Sequence, residues 1–268
     1  MDASKLTFDE RTITRGIVQS FMEDFLDAVD LDVAVAGAGP SGLTTARLLA
    51  QQGLKVAVFE RNLHIGGGIW GGGMLFPRII IEDEAAPLMT EVGIRLRPWE
   101  ANTYIADAVE SATKLTAAAI DAGARIFVGI EVEDVVMDDD FRVCGVVINW
   151  GAVTAAHLHV DPLALHAKVV IEGTGHPCEV AEVVLRKVPG ACLDTGETCV
   201  PGEASMNAVA GEAALIANTR EIYPGVVVTG MSANAVSVSP RMGAIFGGML
   251  LSGRRAAEIA GEIVRAQS

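Results

Sequence analysis

The sequence predicts an α/β fold with a central parallel β-sheet and a smaller antiparallel sheet. Short apolar runs rich in β-branched residues alternate along the chain with stretches of helical periodicity. Such runs are typical of parallel strands that helices cover on both faces. The first unit places a strand over residues 31–36, a helix over 41–52 and a second strand over 55–59, as expected of a β–α–β motif.

The later elements follow the same alternation. Gly53 marks the end of the first helix, because glycine commonly follows the last helical turn. Further along the chain we predict a helix over 107–122, strands over 125–128, 168–171 and 226–229, and a helix over 242–265.

Two segments do not belong to this alternation. Residues from about 130 to 150 contain two strand-like runs around an acidic turn, which predicts an inserted antiparallel hairpin. An amphipathic helix is predicted within about 1–30, because Phe21 and Phe25 recur at helical spacing. We expect residues 1–268 to form a single domain that includes both additions.

The composition argues against two classes of partner. Hydrophobic residues make up 50% of the chain, yet no stretch approaches the roughly 20 uninterrupted apolar residues of a membrane-spanning helix, so no membrane is expected. The formal net charge is −14, and an acidic surface repels a phosphate backbone, so no nucleic acid is expected. The high apolar content instead predicts extensive burial, part of it between the subunits of a homo-oligomer.

The cysteines give no sign of a disulfide framework or of a zinc site. Cys144, Cys178, Cys192 and Cys199 form no CxxC pair and lack zinc-type spacing. The start of the chain does not look like an export signal. The sequence therefore predicts a cytoplasmic protein, soluble in a reducing compartment.

A glycine-rich turn follows the first predicted strand. Gly37, Gly39 and Gly42 satisfy the pattern G-x-G-x-x-G between a strand and a helix, and Glu60 ends the next strand. Gly37 permits the tight turn, Gly39 lets the backbone approach a pyrophosphate, and Gly42 lets the helix pack closely on the strand. The helix N-terminus attracts phosphates, and Glu60 is placed to accept hydrogen bonds from ribose hydroxyls. We therefore predict a Rossmann-type two-dinucleotide-binding fold.

The sequence offers two candidates for the bound dinucleotide, FAD and NAD. Two features match this superfamily, whose members usually bind FAD. One is Val132, at a position where the backbone commonly meets adenine, and the other is the glycine turn 173–175 after a strand. Flavoproteins typically carry a Gly-Asp pair after the last strand, however, whereas this chain has Gly230 followed by Met231. This difference favours NAD over FAD.

Several short motifs resemble the thiamine-thiazole synthase family. They include residues 145–161 followed by Pro162, the triplets 66–68 and 174–176, and the run 241–243. They occur in the family's order from about Asp32 to Ala257. Each motif is weak alone, but their combination is specific.

The resemblance implies a reaction that is not hydride transfer. Family members convert NAD and glycine into ADP-5-ethyl-4-methylthiazole-2-carboxylate, the precursor of the thiazole half of thiamine. In eukaryotic members a protein cysteine donates the sulfur, whereas the matching position here is His159. By resemblance to archaeal-type members with histidine at this position, NAD, glycine and free sulfide are the expected substrates and Fe(II) the expected cofactor.

The resemblance also implies roles for particular residues. Asp161 and His176 are the implied Fe(II) ligands, because a carboxylate and an imidazole suit this ion and leave coordination positions open. Arg241 is the implied clamp for the glycine carboxylate. Alternatives remain open: Asp161 could cap a helix starting near Pro162, and His176 and Arg241 could have only structural roles.

The residues that the resemblance places around the dinucleotide extend beyond the glycine turn. Together with Gly37, Gly39 and Gly42, they are Ser41, Glu60, Arg61, Gly68, Val132, His159, Val160, Asp161 and Met231.

The resemblance further implies an assembly in which neighbouring subunits share the metal ligands. A homo-octamer or another homo-oligomer is expected. The alternative functions are an FAD-dependent oxidoreductase of the same superfamily and a non-catalytic protein that binds NAD or stores sulfur.

Overall fold

The structure is a computed structural model that describes residues 8–267. The part of the predicted N-terminal helix that falls on residues 1–7 lies outside this range. The strands are β1 (Asp30–Ala36), β2 (Val56–Glu60), β3 (Arg78–Glu82), β4 (Leu96–Pro98), β5 (Thr103–Asp107), β6 (Arg125–Val128), β7 (Ile130–Met137), β8 (Val143–Trp150), β9 (Leu163–Glu172), β10 (Glu221–Tyr223) and β11 (Val226–Val228). The α-helices are α1 (Glu10–Asp27), α2 (Pro40–Ala50), α3 (Ala86–Glu91), α4 (Ala108–Asp121), α5 (Gly151–Ala155), α6 (Glu179–Lys187), α7 (Ala208–Asn218), α8 (Met231–Ala235) and α9 (Gly247–Ala266).

The main sheet is mostly parallel, which confirms the predicted fold class. Its strand order is β10-β11-β9-β1-β2-β6, and the pairs that β1 forms with β2 and β9 are parallel, as are β9–β11 and β2–β6. Val33 to Ala36 of strand β1 are all apolar and buried, as expected of a strand inside a parallel sheet. The carboxyl ends of β1, β2, β9 and β11 therefore meet at one edge of the sheet.

The antiparallel parts of the fold come from two segments. Strands β7 and β8 form a hairpin, and β8 also pairs antiparallel with the first half of β9, so this hairpin extends the main sheet. A separate three-stranded antiparallel sheet is formed by β3, β5 and β4. The sequence patterns predict no strands in this region, although the run RIIIE of β3 alternates between exposed and buried positions as a half-buried strand does.

Helix α1 contacts the domain through an aromatic cluster. The Phe25 ring packs edge-on against Phe127 of β6 at 5.9 Å, and Phe21 stacks on Phe25 at 5.7 Å. No residue of α1 is buried, and Ile17 remains 66% exposed. Most of the apolar surface of this helix is therefore open to solvent in one copy of the chain.

Helix α9 begins five residues later than predicted. The segment before it is extended alongside β3: the Ile80 amide donates to the Ala244 carbonyl at 3.0 Å, and the Phe246 amide donates to the Ile80 carbonyl at 2.9 Å. These bonds take the amide and carbonyl groups that a helix over this segment would need. Helix α9 begins at Gly247, where the backbone lies close to Glu82. Only glycine fits at this position, because a Cβ would lie 1.8 Å from the Glu82 carboxylate.

Two carboxyl groups meet at the first turn of α9. The Gly248 amide donates to Glu212 Oε2 at 2.7 Å, and one buried oxygen of Glu212 and one of Glu82 have no hydrogen-bond partner among the described residues. Burial and the neighbouring Glu82 carboxylate raise the pKa of Glu212 to about 9. The protonated form is therefore favoured in the folded state, and its stabilising contribution is lost as the pH rises from about 4.5 through about 9.

The Glu212→Gln substitution tests this arrangement. The amide keeps an oxygen for the Gly248 amide but carries no charge toward Glu82. We expect the free energy of unfolding to rise by at least about 1 kcal/mol at pH 8 and to change little at pH 5. Urea denaturation at the two pH values measures the difference, with Glu258→Gln on the exposed face of α9 as the matched control. A difference that is the same at both pH values would contradict the assignment.

No helix among residues 8–267 is long and apolar enough to cross a membrane.

Candidate active site

A large cavity opens at the edge where the parallel strands end. Its volume is about 830 Å³, within the usual range for cavities that hold cofactors and substrates. Open α/β sheets bind their ligands at this position, outside the carboxyl ends of the strands. The cavity brings together the following residues singled out from the sequence: Gly37, Gly39, Ser41, Glu60, Arg61, Gly68, Val132, His176, Met231 and Arg241.

The glycine turn has the geometry that its sequence predicts. Gly37 has a φ of +95°, and a Cβ there would lie 2.5 Å from the Gly173 carbonyl oxygen. A Cβ at Gly42 would lie 2.2 Å from the Gly37 carbonyl oxygen, whereas a Cβ at Gly39 would meet no atom within 4 Å. Gly37 and Gly42 are therefore required by the packing of the chain. Gly39 instead faces open space in the cavity, at the start of α2, where a phosphate would be attracted.

Glu60 closes the end of β2 beside this turn. Its Oε2 accepts from the Ala38 amide at 3.0 Å, and its Oε1 accepts from the Asn62 amide at 2.9 Å and from Asn62 Nδ2 at 2.7 Å. A carboxylate has about four acceptor positions, so one remains for a ribose hydroxyl. Glu60 thus supports the turn as well as lining the cavity.

Two acidic residues that the sequence analysis did not single out line the same part of the cavity. The Glu179 carboxylate forms an ion pair with the Arg61 guanidinium, and Glu131 accepts a hydrogen bond from the Thr154 hydroxyl. Their positions depend on the folding of α6 and β7 over the end of β2. Nothing in their local sequence distinguishes them from ordinary surface glutamates.

The turn after β9 is built on a fully buried carboxyl group. Glu172 Oε1 accepts from the Thr174 amide at 2.7 Å and from the Thr174 hydroxyl at 2.6 Å. Glu172 Oε2 accepts from the Val180 amide at 2.6 Å, at the start of α6. Burial raises the pKa of the Glu172 carboxyl, and these hydrogen bonds oppose that shift. Glu172 thereby fixes the turn from Gly173 to the helix and places His176 at the cavity.

His176 and Arg241 face the cavity from different segments. The His176 imidazole is about half exposed, and its Nδ1 contacts the Glu203 carboxylate. Arg241 lies in an extended segment whose backbone pairs with Ala204 and Asn207. Within residues 8–267 its guanidinium makes no hydrogen bond or ion pair, so it is available to hold a carboxylate.

The segment with His159, Val160 and Asp161 lies away from this cavity. All three residues are exposed in the loop that leads into β9, and the Val160 carbonyl accepts from Asn149 Nδ2 at 3.0 Å. Asp161 precedes β9 and His176 follows it. Within one chain the two residues are therefore separated by about the length of a ten-residue strand, roughly 30 Å. Asp161 does not cap a helix, because β9 begins at Leu163.

Residues 8–267 of one chain contain no group of three or more histidine, cysteine, aspartate or glutamate side chains that could hold a metal ion. His176 is the donor of the predicted pair that lies at the cavity. An iron site with Asp161 as its second protein ligand therefore requires the loop of another copy.

The structure gives Cys178 a packing role. The residue is 0% exposed, and its Sγ lies 3.5 Å from the Ser232 carbonyl oxygen. Burial and the nearby Glu172 carboxylate raise the pKa of the Cys178 thiol, so the reactive thiolate is disfavoured. All four cysteines lie in the described part of the chain, and none of them lines the cavity.

The fold and the cavity together define an α/β protein of the Rossmann-like class. The chain matches the model of the Thi4 family over residues 14–246, and it belongs to that family.

Curated relatives agree with this assignment over nearly the whole chain. Thiamine thiazole synthase of Methanothrix thermoacetophila is 51% identical over 255 residues, which are 95% of this chain and 97% of the relative. Thiamine thiazole synthase of Pyrococcus horikoshii is 51% identical over 249 residues, 93% of this chain and 96% of the relative.

Solved structures show the same relationship. The crystal structure of Thermovibrio ammonificans THI4 has a TM-score of 0.92 and 42% identity, covering 98% of this chain and 99% of that chain. A geranylgeranyl bacteriochlorophyll reductase-like protein from Thermoplasma acidophilum has a TM-score of 0.60 at 16% identity, covering 89% of this chain and 79% of that chain. The second similarity concerns the fold alone.

Proposed function

We propose that the protein is a sulfide-dependent thiazole synthase of thiamine biosynthesis. It would convert NAD, glycine and sulfide into ADP-5-ethyl-4-methylthiazole-2-carboxylate with Fe(II). The observation that carries the proposal is the cavity, which brings together a dinucleotide-type glycine turn, an imidazole and a guanidinium that has no partner among residues 8–267, in a chain of the Thi4 family.

The glycine turn and its neighbours would bind the adenine dinucleotide. The amides at the start of α2 would face the pyrophosphate across the open space at Gly39. Glu60 retains one acceptor position for the adenosine ribose, and Arg61, Gly68, Val132 and Met231 form the surrounding walls. Ser41 lies just behind the turn and is 4% exposed.

Arg241 would hold the glycine carboxylate. A guanidinium offers two parallel N–H donors that match the two oxygens of a carboxylate. Its position in the same cavity as the glycine turn supports the binding of the amino acid beside the nucleotide.

His176 and Asp161 would hold Fe(II) as ligands from two neighbouring copies of the chain. The separation of the two residues by β9 supports this arrangement, since one copy would present the imidazole and a neighbouring copy the carboxylate. The loop with Asp161 is exposed and flanked by Leu158 and Leu163, which are 62% and 58% exposed. Such a loop is suited to contact a second subunit within a homo-octamer or another homo-oligomer. When bound, Fe(II) supplies Lewis-acid chemistry and binds sulfide.

The sulfur source would be free sulfide. The position that donates sulfur in eukaryotic members is His159, which carries no sulfur, and the cysteines lie outside the cavity. The enzyme is therefore expected to turn over repeatedly without losing an atom of its own.

An anaerobic incubation with NAD, glycine, Fe(II) and sulfide tests the proposal. Mass spectrometry should detect the adenylated thiazole, in amounts that exceed the protein and only when sulfide is present. Folded protein that leaves NAD intact under these conditions would be a non-catalytic binder instead. A yellow protein with flavin absorbance would support the FAD-dependent oxidoreductase, an alternative that the family match disfavours.

A further inference from the structure

The Glu203 carboxylate lies directly against the His176 imidazole. It contacts Nδ1 of the ring, and the glutamate side chain is 17% exposed, whereas the histidine side chain is 48% exposed. We propose that Glu203 is a positioning residue: it keeps a proton on Nδ1 of His176 and so presents Nε2 to the cavity as the metal-binding nitrogen. This inference rests on the proposed function, because it concerns the same metal site.

The backbone on the histidine side of this contact is held in place. Ser232 Oγ accepts from the Gly175 amide at 2.9 Å and donates to the Gly175 carbonyl at 2.8 Å. Together with the buried Glu172, which binds the Thr174 amide, these bonds fix the residue before His176. The imidazole therefore projects from a rigid turn.

The backbone on the glutamate side is held equally well. The Ala204 amide donates to the Ser239 carbonyl at 3.1 Å, and the Arg241 amide donates to the Ala204 carbonyl at 3.1 Å. Glu203 thus projects from the segment that also fixes the backbone of Arg241. The contact joins two ordered segments, unlike a pair of mobile surface side chains.

The chemistry of imidazole explains why this contact matters for a metal. A neutral imidazole carries one N–H and one lone pair, and only the nitrogen with the lone pair can bind an ion. A carboxylate at Nδ1 selects the form in which Nε2 has the lone pair, and it fixes the ring orientation. Loss of such a partner typically weakens metal binding by about 10–100-fold.

Three variants of Glu203 separate positioning from a general effect of negative charge. Glu203→Ala removes the contact and the charge, Glu203→Asp keeps the charge on a side chain one methylene too short, and Glu203→Gln keeps an oxygen for Nδ1–H without the charge. Glu197→Gln, at an exposed position of the same segment, is the matched control. His176→Ala is the reference for loss of the ligand itself.

The measurements are made on the full-length assembled protein. They are the dissociation constant of Co(II) under anaerobic conditions, the visible spectrum of bound Co(II), and the dissociation constant of NAD. We expect Glu203→Ala and Glu203→Asp to weaken Co(II) binding by about 10–100-fold, and Glu203→Gln by less than about 10-fold. The Co(II) spectrum and the NAD affinity should remain those of the unaltered protein.

Three results would overturn the inference. In the first, Glu203→Ala binds Co(II) as tightly as the unaltered protein, whereas His176→Ala binds it weakly. The metal site would then stand, and only the role of Glu203 would be rejected. Glu203→Gln could be as impaired as Glu203→Ala while Glu203→Asp is not, which would indicate charge alone. A shifted Co(II) spectrum would show that Glu203 itself is a ligand. If His176→Ala keeps full Co(II) affinity, the metal assignment in the proposed function fails as well.

Discussion

Replacing His176 with alanine is expected to abolish thiazole formation while NAD binding remains. The imidazole is the one proposed metal ligand that a single chain places in the cavity. A Lewis acid bound at the proposed site would contribute several kcal/mol to the reaction, so its loss should lower kcat by at least about 10³-fold. Asp161→Ala should have the same effect, although Asp161 lies in the loop before β9 and His176 lies in the turn after it. The yield of adenylated thiazole and the dissociation constant of NAD are the two measurements.

His166→Ala is the control for these variants, because this histidine is exposed on β9 and does not line the cavity. Its activity should stay within about twofold of the unaltered protein. Full activity in His176→Ala or in Asp161→Ala would remove that residue from the metal site.

Gly42→Ala is expected to lower the free energy of unfolding by about 3 kcal/mol or more. The new Cβ would lie 2.2 Å from the Gly37 carbonyl oxygen, which belongs to the backbone of a tight turn and cannot move aside. Urea denaturation measures the loss. An unchanged unfolding midpoint would show that α2 does not pack on the turn as described.

Gly39→Ala is the matched variant three residues earlier in the same turn. Its Cβ would meet no protein atom within 4 Å, so the stability should change by less than about 1 kcal/mol. The methyl group would, however, occupy the space where a pyrophosphate approaches the backbone, and NAD binding should weaken at least about 10-fold. Calorimetric titration with NAD checks this, and unaltered affinity would place the dinucleotide elsewhere.

The nucleotide-binding unit could be predicted from the sequence because its constraints are local. Gly37 to Gly42, the strand before them and Glu60 after them lie within one β–α–β unit, and the structure places them as predicted. The spacing of glycines reports the close contacts directly, since any side chain at Gly37 or Gly42 would collide with backbone.

The residues that sequence reasoning missed depend on contacts between distant segments. Glu203 touches His176 only because residues around Ala204 pair with the extended chain at Ser239. The small sheet of β3, β5 and β4 was missed because its strands are short and only β3 has a clear alternating pattern. The late start of α9 follows from the pairing of residues 244–246 with β3, which helical periodicity alone does not reveal.

A mixing experiment tests the proposal of a metal site shared between subunits most directly. Asp161→Ala and His176→Ala chains with different tags are co-expressed, and oligomers that carry both tags are isolated and supplied with NAD, glycine, Fe(II) and sulfide. In a large oligomer, random assembly pairs an intact Asp161 with an intact His176 at about one site in four, so about a quarter of the normal activity should return; in a dimer that carries both tags the share is about one half. Mixed oligomers that stay as inactive as either parent would contradict a site built from two copies.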